Sequence, residues 1–437
     1  MRVVIAGQGY VGLPLAVRAA EVGYQVVGYD VDERRIKRLA VGESYVEDIP
    51  AERLRPLLES GAYLPTSDPA ETAGFDIAVI TVPTPLRDGV PDLSYIEASA
   101  QLLAAGLRPG ATVVLESTTY PGTTEELLAP LLEEGSGLTA GRDFHLGYSP
   151  ERIDPGNPTW RLENTPKVVS GIDPAALAAV DGFYGRLVER TVPVSSCKEA
   201  ELTKLLENTF RHVNIALVNE LAMFAHDLGI DVWEAIDAAS TKPFGYLRFT
   251  PGPGVGGHCL PIDPSYLSWR VERALGQSFR FVELANDVNS HMPDYVVRRL
   301  ADALNERRRS VKGSRVLLLG LAYKRNTGDA RETPAARIAE LLIRMGAEVS
   351  AADPHVVVGV HVPEPVVPGQ RVAEQDIHGN PFAAVRRVEA TEQELAAADA
   401  VVLLADHDEF DYDAIAGHAR YVLDCRRRLS GATVEVL

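Results

Sequence analysis

The chain has 437 residues, 46% of them apolar, enough for several domains that each bury a core. Its 43 Lys and Arg against 61 Asp and Glu leave a net charge of -18, a surface that repels nucleic acid and anionic lipid and excludes both as expected partners. Three cysteines in so long a chain exclude a disulfide framework and point to a reducing compartment, the cytoplasm.

Arg2 to Ala6 is a short β-branched run that predicts a buried strand, and it turns into glycines too soon for a signal peptide. Gly7-Gln8-Gly9-Tyr10-Val11-Gly12 follows, then an apolar helical stretch from Leu13 to Ala20, then a second strand from Gln25 to Tyr29 that ends in Asp30. A lone GxGxxG says little. Strand, GxGxxG, helix and a strand ending in an acid 18 residues after Gly12 predict a dinucleotide site. Gly7, Gly9 and Gly12 let a pyrophosphate meet the helix N-terminus, and Asp30 takes the ribose hydroxyls. A carboxylate repels a 2′-phosphate, which favours NAD over NADP; Arg34 and Arg35 pull the other way, since a guanidinium can hold that phosphate.

Asp76 to Val82 and Thr112 to Glu116 read as further strands, ending in Pro83-Thr84-Pro85 and Ser117-Thr118-Thr119. Open α/β sheets bind ligands at the carboxyl ends of their strands, so Thr84 and Thr118 are expected to face the nicotinamide half. Plain Ser/Thr turn chemistry is the competing reading. Tyr148-Ser149-Pro150-Glu151-Arg152-Ile153-Asp154-Pro155-Gly156 follows another short strand and groups acid, base and turn residues.

Ser196-Cys197-Lys198-Glu199 has the spacing of a capping box, and apolar residues from Ala200 to about Leu228 recur at helical period. Lys204, Asn208 and Arg211 fall on one face of that helix: either a solvated stripe, or an amine, an amide and a guanidinium presented to an anionic ligand. Leu217, Leu221, Met223 and Phe224 need apolar cover, which suggests a subunit interface. No apolar run approaches the roughly 18 residues of a membrane helix.

The stretch from Pro251 to Asp263 is rich in glycine, and Gly254, Gly256 and Gly257 allow main-chain N–H groups to approach a ligand. His258 and Cys259 follow, with Asp263 four residues on. Cys259 is either a small buried apolar residue or, once deprotonated, a nucleophile with a carboxylate near enough to position water or a proton.

Glu306 to Ser310 reads as a solvated, charged connector. Beyond it the chain faintly copies its own start. Arg2–Gly7 corresponds to Arg315–Gly320, Gly23–Asp30 to Gly346–Asp353, and Asp76–Val79 to Asp399–Val402. Gly320-Leu321-Ala322-Tyr323-Lys324-Arg325 has lost GxGxxG and gained cations, and Tyr421 to Leu423, read as the last strand, leads into Asp424-Cys425-Arg426-Arg427-Arg428. This half is expected to hold an anionic ligand other than NAD. The Val- and Pro-rich segment from His355 to Pro368 is expected to leave the sheet. The expected fold is α/β, with two doubly wound Rossmann-like domains joined by a central helical domain with a long helix, over residues 1–195, 196–310 and 311–437.

A cysteine is superfluous for taking an alcohol to a ketone and useful for oxidising an aldehyde: thiolate adds, hydride leaves the thiohemiacetal, and water cleaves the thioester. The residues alone point to an alcohol or aldehyde taken to an acid, on a substrate with phosphate-like charge.

Along its whole length the chain resembles the nucleotide-sugar 6-dehydrogenases, the superfamily of UDP-glucose and UDP-N-acetylhexosamine dehydrogenases. The resemblance rests on Gly7-x-Gly9-Tyr10-Val11-Gly12-Leu13, Val82-Pro83-Thr84-Pro85, Glu116-Ser117-Thr118, Ser149-Pro150-Glu151-Arg152, Lys204-x-x-x-Asn208, Gly256-Gly257-His258-Cys259, Asp263, Tyr323-Lys324 and Arg331-Glu332. It implies a two-step, four-electron oxidation of C6 from alcohol to carboxylate with two NAD and no metal. Cys259 would be the covalent nucleophile, Lys204 with Asn208 would serve the alcohol step, Asp263 would act as base or order water, and Thr118 and Glu151 would handle water in the hydrolytic half. Gly7, Gly9, Tyr10, Val11, Gly12, Asp30, Arg35, Thr84, Thr118 and Arg331 would bind NAD. Glu151, Arg152, Ile153, Lys204, Asn208, Arg211, Gly245, Gly254, Gly257, Tyr323, Lys324 and Arg426 would hold the nucleotide sugar. A homodimer or higher homo-oligomer would be built on the 200–228 helix.

Two departures from the glucose pattern, Arg152-Ile153-Asp154 after Glu151 and His258 before Cys259, look like the N-acetylhexosamine branch, so the expected sugar is an N-acetylhexosamine first and glucose close behind. Arg248 has no counterpart in the family pattern. The rival readings are a one-step β-hydroxyacid dehydrogenase, which would release one NADH and need no Cys259, and a non-catalytic sugar-nucleotide-binding subunit, against which Lys204, Cys259 and Asp263 speak.

Overall fold

The β-branched run at the start of the chain forms β1 (Arg2–Ala6), buried on both faces, as a strand covered by helices on each side must be. The computed structural model describes residues 1–46, 48–87, 89–153, 157, 159–257, 259–356 and 382–437, and of residues 259–262 the backbone alone. The chain divides into two units, Met1–Asn208 with Ile262–Ser278, and Thr209–Pro261 with Phe279–Leu437.

In the first unit β1 is followed by α1 (Gly12–Glu21), β2 (Gln25–Tyr29), β3 (Tyr63–Thr66), β4 (Ile77–Ile80), β5 (Thr112–Leu115), β6 (His145–Tyr148), β7 (Lys167–Gly171), α2 (Pro174–Leu187) and β8 (Thr191–Pro193). They make one eight-stranded sheet in the order β8-β7-β6-β5-β4-β1-β2-β3. Strands β1 to β6 are parallel, whereas β7 pairs antiparallel with β6 and parallel with β8. The strand order reverses between β1 and β4, and the Gly7–Gly12 turn sits at that switch point.

α3 (Cys197–Asp227) is the long helix expected from the apolar period. The Lys198 N–H donates to Ser196 Oγ at 3.2 Å, and the Ser196 hydroxyl donates to the Glu199 carboxylate. α4 (Cys259–Leu275) and α5 (Arg280–Glu306) follow, and the charged connector begins where α5 ends. Leu206, Phe210, Leu217, Leu221 and Phe224 on α3 are exposed.

The second unit carries the copy. β9 (Arg315–Leu319), β10 (Glu348–Ala352), β11 (Arg386–Arg387), β12 (Ala400–Leu403), β13 (Val422–Asp424) and β14 (Val434–Val436) form a six-stranded sheet in the order β11-β10-β9-β12-β13-β14, parallel throughout. The likeness to the first sheet extends to single bonds. The Arg2 N–H donates to Asp76 Oδ2 at 2.6 Å and the Arg315 N–H to Asp399 Oδ2 at 3.0 Å. Gly7 and Gly320 close the first strand of each copy at φ 96° and 84°, a left-handed conformation natural to glycine.

The strand expected last, Tyr421 to Leu423, is observed at Val422–Asp424 and is not last: β14 adds beyond the cation cluster as a three-residue edge, too short for its alternation to stand out in sequence. Residues 357–368 of the expected excursion lie outside the described residues. Among the described residues no helix is long and apolar enough to cross a membrane.

Candidate active site

The turn after β1 is built so that side chains are excluded where a ligand needs backbone. A Cβ on Gly12 would stand 1.8 Å from the Gly7 carbonyl oxygen, so α1 can begin there only with glycine. Beyond Gly9's own chain neighbours, no atom of the described residues lies within 4 Å of where its Cβ would stand. That open space beside the first turn of α1, with Tyr10 and Val11 leading in, is a cradle that a pyrophosphate fits and a side chain would fill. Asp30, buried at the end of β2, accepts the Gln8 N–H at 2.8 Å and the Asp32 N–H at 2.9 Å. Arg35 reaches it at 3.5 Å, whereas Arg34 turns away to Asp32 at 3.2 Å. One cation, not two, opposes the carboxylate. These residues fit NAD.

Asp30→Ala is expected to weaken NAD by roughly 10- to 100-fold, the cost of losing hydrogen bonds to a charged acceptor, while NADP binding changes little. Titrating both dinucleotides against native and variant protein checks it. Native binding of NADP as tight as that of NAD would mean that Arg35 overrides the carboxylate.

Thr84 and Thr118 stand in the loops after the paired strands β4 and β5. Tyr266 on α4 donates its hydroxyl to the Thr84 carbonyl at 2.9 Å. The Thr118 loop is anchored by a residue the sequence did not single out. Glu201, fully buried on α3, accepts from Gly122 N at 2.5 Å, Thr124 N at 2.9 Å and Thr124 Oγ1 at 2.7 Å. Burial pushes its pKa up to about 7.

α3 supplies the first catalytic candidates. Lys204 is buried, which rules out the solvated-stripe reading for it, and its ammonium donates to the Glu151 carbonyl oxygen at 2.5 Å. One turn on, Asn208 Nδ2 donates to Asp263 Oδ2 at 2.6 Å. Asp263 is 1% exposed, and its Oδ1 has no hydrogen-bond partner among the described residues. Burial pushes its pKa up to about 6 against the opposing pull of Lys204 and the Asn208 amide. A buried carboxylate with one oxygen held and one unclaimed is an acceptor for a proton or a water. Ile153 turns its N–H onto the Glu151 carboxylate, and Arg152 is engaged with Glu207 at 2.6 Å and the Pro166 carbonyl at 2.6 Å. Asp154, Pro155 and Gly156 lie outside the described residues.

In the second unit the glycine loop packs against the turn that replaces GxGxxG. A Cβ on Gly256 would stand 2.7 Å from the Glu332 carbonyl and 2.7 Å from Tyr323 Cβ; one on Gly257 would lie 2.9 Å from the Tyr323 ring. Gly257 N–H donates to the Arg331 carbonyl at 2.9 Å, and Gly254 lies under Pro334. The Arg331 guanidinium forks onto Asp329 at 2.9 and 2.6 Å. Lys324 Nζ lies 5.9 Å from the Tyr323 ring centroid. Arg426 is half-buried beside Gly252 and donates Nε to the Leu404 carbonyl at 2.7 Å. Arg211 is exposed, Gly245 sits in an exposed turn at φ 67°, and Arg248 pairs with Asp237 at 2.8 Å on the surface. His258 and the Cys259 side chain lie outside the described residues. The Cys259 backbone opens α4, one turn before Asp263.

Sequence reasoning also passed over Lys167 and Tyr184 and gave Glu116, part of a family motif, no role; the three form a buried cluster beside Glu151. The available signal was a charged residue opening an otherwise apolar strand, Lys167-Val168-Val169.

Three models of the UDP-glucose/GDP-mannose dehydrogenase family match in succession, the NAD binding domain over residues 1–188, the central domain over 198–291 and the UDP binding domain over 317–431. The UDP-N-acetyl-D-mannosamine dehydrogenase of Pyrococcus horikoshii is 35% identical over 411 residues, 94% of this chain and 90% of that one. A UDP-N-acetyl-D-glucosamine 6-dehydrogenase of Pseudomonas aeruginosa is 38% identical over 360 residues, 82% of this chain and 83% of that one. The solved structure of the UDP-D-ManNAc dehydrogenase from Pyrococcus horikoshii matches with a TM-score of 0.87 at 33% identity, covering 100% of this chain and 99% of that chain.

Proposed function

The chain belongs to the UDP-glucose/GDP-mannose dehydrogenase family, and from that premise we propose that it oxidises C6 of a UDP-N-acetylhexosamine from primary alcohol to carboxylate. It is an NAD-dependent oxidoreductase of nucleotide sugars. What carries the finer reading is the Asn208–Asp263 pair, a buried carboxylate with one oxygen held and the other unclaimed among the described residues, one turn along the helix that Cys259 opens. The sugar follows the relatives, which are named for N-acetylmannosamine and N-acetylglucosamine.

NAD, when bound, supplies the hydride acceptor for both oxidations. The chain's own residues do the rest. Lys204 holds the negative charge that develops on the C6 oxygen, and Asp263 accepts the proton on its unclaimed oxygen. Cys259, at a helix N-terminus that favours thiolate, adds to the aldehyde carbon. Loss of hydride from that thiohemiacetal leaves a thioester. Water, handled by Thr118 and Glu151, cleaves it to the carboxylate and returns the thiol. Tyr323, Lys324 and Arg426 hold the UDP end of the substrate by charge and stacking. The exposed apolar residues of α3 support pairing with a second copy of the chain.

A panel of nucleotide sugars offered to the purified protein, with NADH counted per sugar consumed, tests the reading. Turnover of a UDP-N-acetylhexosamine with two NADH per sugar is the expected result. One NADH per molecule would indicate a single-step dehydrogenase, and binding without NADH a non-catalytic subunit.

A further inference from the structure

The roles above leave unused a buried charged cluster beside Glu151. Glu116 follows β5 with its side chain wholly buried, and Lys167 opens β7 with its side chain 4% exposed. The Lys167 ammonium ion-pairs with Glu116 Oε1, donates to the Pro150 carbonyl at 3.1 Å and stands 3.8 Å from Glu151 Oε2. Tyr184 on α2 donates its hydroxyl to the other Glu116 oxygen at 2.5 Å.

Strand direction brings the lysine there. β7 runs antiparallel to β6, pairing Gly147 with Gly171 and Tyr148 with Ser170. The residue that opens β7 therefore meets the segment that leaves β6, where Glu151 lies. A parallel β7 would have put Lys167 at the opposite edge of the sheet, away from every ligand-binding loop.

We propose that Lys167, held in turn by Glu116, is a positioning residue that fixes the Glu151 carboxylate in its working orientation for the hydrolytic half of the reaction. This rests on the reading of Glu151 as a residue that handles water. Glu116 and Glu151 stand on either side of the Lys167 ammonium, and the two carboxylates do not ionise alike. Burial pushes the Glu116 pKa up to about 7. For Glu151 burial is outweighed by Lys167 and then Lys204, and its pKa falls below the ordinary value. Glu116 is therefore the weaker acid of the two, and the negative charge settles first on Glu151. Among the described residues, the other groups facing the pair are Lys204 from α3, Tyr184 from α2 and Tyr148 from β6. Burial raises both phenols, which remain neutral donors.

The test is the pH profile of kcat and KM for the full-length enzyme and its Lys167→Met, Lys167→Arg, Glu116→Gln/Lys167→Met and Glu151→Gln variants. Without the ammonium, Glu151 faces Glu116 directly and takes up the proton. Its ionisation then moves from below the Asp263 limb near pH 6 to above it, so the acid limb of kcat in Lys167→Met is expected to rise to about pH 7 or more, with KM nearly unchanged. That is about a tenfold loss at pH 6 and near-native turnover at pH 9. The double variant, which leaves no unpaired partner, should lie between native and Lys167→Met, and Lys167→Arg close to native. A merely structural role lowers kcat at every pH without moving the limb. Should Lys167→Met fail to fold, the double variant decides alone: a limb above native supports the inference, and a native limb overturns it. If the limbs stay native while Glu151→Gln loses 100-fold or more, the inference falls and the reading of Glu151 stands. Near-native turnover in Glu151→Gln overturns both.

Discussion

Cys259→Ser is expected to form sugar acid more slowly than the native enzyme by a factor on the order of 10^3 or more, with NAD affinity unchanged. A serine hydroxyl is far less acidic than a thiol, so an adduct with the aldehyde forms and breaks slowly. The helix N-terminus at which Cys259 stands sharpens the contrast, since it stabilises a thiolate at neutral pH and cannot bring a hydroxyl within reach of ionisation. The loss should therefore persist across the pH range. Native enzyme should give two NADH per sugar with little free aldehyde. Intact-mass analysis of the variant after incubation with substrate and NAD should show either a slow adduct or none. Sugar acid made at close to the native rate would refute covalent catalysis and leave the glycine loop as a binding loop.

Asp263→Asn should lose activity and gain stability together. The loss is expected at about 10^2- to 10^4-fold, the usual contribution of a positioned base. The native acid limb near pH 6, where Asp263 ionises, should vanish with it. The stability effect follows from the direction of the shift. Burial raises the folded pKa of Asp263 to about 6 from an ordinary value of 3.8, so the unfolded chain gives up the proton first. Below the unfolded value the carboxyl is neutral in both states and costs nothing. As pH rises through the folded value, the native protein loses stability by up to about 3 kcal/mol, the free energy of a shift that size. Asparagine carries no charge and can still meet the Asn208 amide. The variant's advantage should therefore open between pH 4 and 6 and stay flat above. Denaturant melts at pH 4, 5, 6 and 7.5 would show it. An advantage that does not change with pH would mean that Asp263 does not carry the buried charge.

Both predictions concern residues whose types were legible in sequence and whose circumstances were not. Contiguous signals were read directly. β1 and β2 fall where the β-branched runs predicted them, Asp30 ends β2, and the long helix expected over 200–228 is observed at Cys197–Asp227. These are local matters, fixed by period, by glycine conformation and by what a turn can hold. The internal copy was legible for the same reason, because two βαβ units repeat the same local demands at Gly7 and Gly320 and at Asp76 and Asp399.

Tertiary structure decided the rest. Helical period placed Lys204 on a face with Asn208, but only packing shows that Glu151 covers it. Asp263 acquires its raised pKa from burial and its orientation from an amide that lies far away in sequence. Arg331, a cofactor candidate by motif, spends its guanidinium on Asp329, and Arg152 spends its own on Glu207. Lys167 is the plainest case. Nothing local states whether a strand runs with or against its neighbour, because both directions satisfy the same pleat and the same apolar pattern. The choice made by β7 carries a strand-opening lysine to the carboxyl edge of the sheet, beside Glu116 and Glu151.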